Sequence, residues 1–214
     1  MFHNDGTLGT FSGSYSGDII CTAEGDLNAD GFSDIAVGGN GWLGIYLMTP
    51  DPVNTMILDL NLNNDSVNCM TFNDINWDNI PDFLFHTQNE RQIYFMFGNK
   101  RNQFAPTPVI SQYVAYENKE FTAFRLKAGN MDKDKKSEIV TLNRNDEDTK
   151  TILVIKKLGS ITYDPQLKDY KALIEGSDCE WAVGDLDNDR INEYVITSLK
   201  EGKPQLVIIK KKKK

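Results

Sequence analysis

The chain has 214 residues, 40% hydrophobic and 25% charged, enough to bury a single domain's core without disulfide or metal staples. Its formal net charge of -8 argues against nucleic acid or an anionic membrane as the main partner, because both require clustered cations. No apolar run approaches the roughly 18 residues that a membrane-spanning helix needs.

In chain order, the start at Met1-Phe2-His3-Asn4 carries neither the basic region nor the apolar core of a signal peptide, as would equally hold for a mature chain. Leu8 to Tyr15 then reads as a strand that belongs to no complete unit. From Asp18 onward one pattern returns four times: oxygen-bearing side chains at every second position, followed at once by a β-type apolar run. The first copy offers Asp26, Asn28, Asp30 and Asp34, the second Asp74, Asn76, Asp78 and Asp82. The third offers Asn130, Asp132, Asp134 and Glu138, and the fourth Asp185, Asp187, Asp189 and Glu193.

Counting the first of these residues as position 1, every loop has side-chain oxygens at 1, 3, 5 and 9. A main-chain carbonyl is available at position 7, on Phe32, Ile80, Lys136 and Ile191. Calcium takes six to eight oxygen ligands, and alternate residues of a tight loop can converge on one ion, so the spacing predicts up to four calcium sites. Position 6 is where such a loop bends: Gly31 suits it, Asn79 tolerates the left-handed region, and Lys135 and Arg190 fit it less well. Geometry therefore favours the first loop, while charge favours the fourth, the one loop with four carboxylates. The third loop ranks last, with Asn130 for aspartate and Lys133, Lys135 and Lys136 alongside. An EF-hand is excluded, because position 12 is Val37, Phe85, Thr141 or Ile196 and the flanks lack helical period.

Each loop is read as the hairpin between the first two strands of a four-stranded unit. The units span about 18–60, 66–115, 121–170 and 178–209, with loop starts about 50 residues apart. Within the third unit the fourth strand is expected at Leu158 to Tyr163, and the fourth unit has three strands. The predicted fold is all-β: a β-propeller of four four-stranded antiparallel blades forming one domain over 1–214, with residues 1–17 pairing into the last blade to close the ring. The alternative is a fragment of a larger ring.

The loop followed by Asp34-Ile35-Ala36-Val37-Gly38 resembles the FG-GAP or VCBS repeats of the integrin α-subunit propeller family and of repeat proteins similar to the T-cell immunomodulatory protein. The likeness covers all four units and is most specific at Gly25 to Asp34 and Gly184 to Asp189. The Phe-Gly-Gly-Ala-Pro signature is mostly absent, with Phe97-Gly98 as a remnant. The resemblance implies a calcium-stabilised propeller that binds protein or glycan, its ions mostly structural.

Enzyme signatures are weak, and the chain is read as a non-enzyme. His3 and His86 are the histidines, no phosphate-binding loop or nucleophile elbow occurs, and the loop acids are committed to metal. Trp77, at position 4 of the second loop, is the candidate partner-binding residue, with a fold-back over its own hairpin as the alternative. The two functional readings are a protein-interaction or adhesion module and a calcium-dependent carbohydrate-binding module or accessory domain of a carbohydrate-active enzyme. Cys21, Cys69 and Cys179 are read as buried thiols, which suit an intracellular site, whereas calcium loops of modest affinity suit an extracellular or cell-surface one. The second consideration leads, with the first left open. Lys210 to Lys214 are read as a solvated tail.

Overall fold

The computed structural model describes residues 18–28, 30–48, 55–76, 78–89, 92–98, 113–114, 120–129, 138–157, 170–189 and 191–210. Regular structure among them is β throughout, in three antiparallel sheets. The first sheet contains β1 (Ile19–Gly25), β2 (Asp34–Leu47), β3 (Thr55–Asn73), β4 (Asp82–Thr87), β5 (Gln92–Met96) and β6 (Tyr113–Val114) in chain order. The second contains β7 (Phe121–Gly129), β8 (Glu138–Asn145), β9 (Lys150–Lys157) and β10 (Tyr170–Glu175). The third contains β11 (Ser177–Gly184), β12 (Glu193–Lys200) and β13 (Lys203–Ile209). Within each sheet every strand pairs with a sequence neighbour, as expected where hairpin turns punctuate β-branched and aromatic runs.

Two strands of the first sheet do double duty. A straight 14-residue strand would span about 46 Å, yet the amide of Met48, just past the end of β2, donates to Asp34 Oδ1 at its start over 2.9 Å. Strand β2 therefore folds back on itself, and Gly41 at the reversal has a φ of 80° that a side chain would oppose. Strand β3 instead changes partner: its first part, from Thr55 to Asn61, pairs with β2, and its last, from Val67 to Asn73, with β4. Between them Asn63 takes a φ of 49°, its amide donating to Asn61 Oδ1 at 2.9 Å, a local turn that swings the strand without ending it. The end of the first expected unit and the start of the second thus belong to one element, which fuses the two units into one sheet.

The strand that pairs with β9 is β10, at Tyr170–Glu175, later than the Leu158 to Tyr163 expected. Residues 158–163, like the strand expected at Leu8 to Tyr15, lie outside the described residues. At the end of the second expected unit, Tyr113–Val114 is described and pairs with β5.

Alternation along the second strand of each unit sorts side chains between two cores. Position 11 faces forward: Ala36 packs with Val67 and Phe83, Leu84 with Ala123 and Ile139, and Val140 with Cys179 and Tyr194. Position 10 faces backward, so Phe83, Ile139 and Tyr194 fill those same clusters from the following unit. Each pair of successive units therefore shares one apolar core. The series has two ends. Ile35 and Val37 pack with Trp42, Tyr46 and Met48 of their own unit. At the other end Leu186, Leu206 and Ile208 are 59%, 63% and 55% exposed.

Candidate metal loops

All four acidic loops hang from hairpins in the same register. The residue before position 1 pairs with position 9 in each: Gly25 with Asp34, Asn73 with Asp82, Gly129 with Glu138, and Gly184 with Glu193. The position 9 carboxylates are all buried, with exposures of 0%, 0%, 1% and 2% for Asp34, Asp82, Glu138 and Glu193. Four acids withdrawn from water at one register place call for hydrogen-bond donors or a cation in every copy.

In the first loop Asp34 Oδ2 accepts from the Leu27 amide at 2.8 Å, and Oδ1 accepts from Met48. Asp26 accepts from the amides of Asp30 at 3.1 Å and Gly31 at 2.9 Å, and Asp30 Oδ1 accepts from Phe32 at 2.9 Å. Asn28 Oδ1 accepts from the Asp30 amide at 3.1 Å, while its Nδ2 donates to Asp30 Oδ2 at 2.8 Å. The second loop repeats this residue for residue. Asp82 accepts from Ile75 and Gly98, both at 3.0 Å, Asp74 from Asp78 and Asn79, and Asp78 Oδ1 from Ile80, while Asn76 takes the role of Asn28.

These bonds wind the backbone so that alternate side chains face inward. Gly31 and Asn79, both at position 6, take φ values of 88° and 63°, the left-handed bend expected of glycine and tolerated by asparagine. Leu27 and Ile75 at position 2 point the other way and are buried in the apolar clusters, anchoring each loop to the sheets.

Burial is the main reason that the Asp34 carboxyl is raised above its ordinary range and that Asp82 is pushed up to about 6. Their amide donors pull the other way, and the neighbouring loop acids add repulsion. A divalent cation supplies what burial and repulsion disfavour, a positive charge against the ionised carboxylates. The donor set, carboxylate and side-chain amide oxygens, is of the hard oxygen type that divalent cations take.

The fourth loop shares the frame but not the details. Glu193 Oε2 accepts from Leu186 at 2.8 Å, Asp185 Oδ1 from Asp189 at 3.0 Å, and Asp189 Oδ1 from Ile191 at 2.9 Å. Oxygens of Asp185, Asp187 and Glu193 lie within 4.8 Å of one another, the closest such trio among the described residues. Among the described residues of this loop, Asn188 at position 4 is left-handed, with φ 59°. Lys210, read as the first residue of a solvated tail, instead reaches this loop. Its Nζ bonds Asp187 Oδ2, stands 3.3 Å from Glu193 Oε1 and 3.9 Å from Asp189 Oδ2, and its pKa is held above the usual lysine range, chiefly by the Asp187 hydrogen bond.

In the third loop Glu138 is described and lies where expected. Asn130, Asp132, Asp134 and Lys136 lie outside the described residues, as does Trp77.

A second feature is a polar cavity of about 650 Å³. Ile20, Asn68, Phe124 and Cys179 line it, each six residues before position 1 of its own loop, so β1, β3, β7 and β11 converge on one space. Arg125 grips Glu180 through two hydrogen bonds, and the Phe124 ring lies 5.3 Å from the Arg125 guanidinium and 5.0 Å from that of Arg144. Sequence reading missed this cavity, because its lining is gathered from strands and turns far apart in the chain. Nearby, burial pushes the Cys21 thiol up to about 12 and holds Cys69 well above its ordinary value, so both stay protonated and act as packing groups. His86 is buried in β4.

No protein-family description matches the chain, and no curated protein compared with it matches.

Proposed function

We propose that this chain is a calcium-binding β-propeller, closed or part of a larger ring, that serves as a protein-interaction module with its ions in a structural role. The observation that carries the reading is the buried carboxylate at position 9 of four hairpins in one register. Like charges a few ångströms apart resist closure of each hairpin, and an ion turns that repulsion into a cross-link between two strands and the loop. Serial cores and the convergence of four first strands on one cavity favour a radial arrangement of the units. The exposed face of Leu186, Leu206 and Ile208 is the counterpart of faces that the preceding units cover with the next one, which suits either ring closure or further blades.

The chelation test is direct. Calcium that binds the folded chain raises its melting temperature by mass action, so EDTA lowers the midpoint and added calcium restores it. Identical melting curves in EDTA and in millimolar calcium would remove the reading.

A second reading, glycan binding, is favoured by the cavity, where Asn68, Gln88, Asp178 and the Arg125–Glu180 pair present hydroxyl-matching groups. A glycan array probed with and without calcium separates the two: specific sugar binding supports the second, whereas silence together with a captured protein partner supports the first.

A further inference from the structure

The two kinds of position 9 acid come with two kinds of surroundings. Where it is aspartate, in the first two loops, backbone amides of Met48 and Gly98 reach its second oxygen. Where it is glutamate, a lysine stands across the sheet. Glu138 pairs directly with Lys157 in the β8–β9 register, and Glu193 faces Lys210 one step beyond the Tyr194–Ile209 pair of β12 and β13. In the fourth loop side-chain geometry completes the pattern: one ammonium contacts Asp187, Glu193 and Asp189, the carboxylates at positions 3, 9 and 5.

That ammonium lies against the oxygens at positions 3, 5 and 9, two of which, on Asp187 and Glu193, belong to the trio that could hold a metal ion. Glu193 is nearly inaccessible to solvent, and its Oε1 faces into this group rather than toward a backbone donor. A lysine tethered by β13 is present at a very high effective concentration, so a dissolved ion must compete with it.

We propose that Lys210 is the resident cation of the fourth loop and sets its metal preference: the loop is closed by an ammonium from its own chain, and calcium enters only by displacing it. This rests on the calcium reading above and adds that the loops differ in kind. The two aspartate loops require an external ion, whereas the fourth is folded without one and binds calcium weakly despite carrying the most acid.

The test compares the full chain with K210Q, which keeps the stem and removes the charge, and with K210R, which keeps the charge. Calcium is titrated while the backbone amide resonances of Leu186 and Asp189 report the fourth loop and those of Asp30 and Gly31 the first. The expected result is a fourth-loop affinity on the order of tenfold tighter or more in K210Q, unchanged in K210R, with the first loop unaltered in both. In EDTA, K210Q should also melt below the parent chain and recover with millimolar calcium. If the first loop responds to calcium and the fourth titrates identically in K210Q and the parent chain, the Lys210 proposal falls while the calcium reading stands. If no loop responds in any variant, both fall.

Discussion

The loops at 26–34 and 185–193 share a register, a buried acid at position 9 and a hydrogen bond from the position 2 amide, yet they neutralise their charge differently. In the first, the short Asp34 side chain stays close to the backbone and takes both its donors from main-chain amides, Leu27 and Met48, leaving no cationic side chain in contact among the described residues. In the second, the extra methylene of Glu193 carries its other oxygen outward to an ammonium. The contrast teaches that a run of alternating acids does not by itself measure metal affinity. What matters is whether the fold has already brought a cation to the oxygens.

The largest expected difference lies at position 9. Asp82→Ala removes the acceptor for two amides, that of buried Ile75 and that of half-buried Gly98, and should lower unfolding free energy in calcium by about 2 to 4 kcal/mol. Glu193→Ala removes one backbone bond and leaves Lys210 with Asp187, so the loss should be about 1 to 2 kcal/mol. Urea denaturation of the two variants checks the ranking, and equal losses would erase the distinction between the loop types.

A smaller effect is expected at position 6. Gly31→Ala meets no neighbour within 4 Å, but its φ of 88° opposes any side chain, so about 1 kcal/mol should be lost by backbone strain alone. The smallest is a gain: Asn79→Gly relaxes the same bend in the second loop and should stabilise by a few tenths of a kcal/mol. Thermal melts of both variants in saturating calcium read these shifts, and a Gly31→Ala protein as stable as its parent would show that the bend is not constrained.

Much of this was legible in the residue order because it depends on short periods. Alternation at spacing two located the loop oxygens, and the apolar run after each loop located β2, β4, β8 and β12 and the acid at their first residue. Of the three cysteines read as buried thiols, Cys69 and Cys179 lie so and Cys21 is half-buried. What could not be read depends on partners distant in the chain. Met48 and Gly98 contribute only backbone amides, which leave no mark in a sequence. Lys210 looked like tail because its role appears only once the β12–β13 register sets it opposite Glu193, 17 residues earlier. The continuity of β3 was hidden because Asn61 to Asp65 has the composition of a loop, while a single left-handed residue, Asn63, suffices to turn the strand.

The most direct test of the central claim is isothermal titration of the chelator-stripped chain with calcium. The account predicts saturable uptake by the loops at 26–34 and 74–82, at least two ions per chain, with weaker binding at 185–193. No heat and no retained calcium on equilibrium dialysis at millimolar concentration would contradict it, leaving the buried acids held by backbone amides and Lys210 alone.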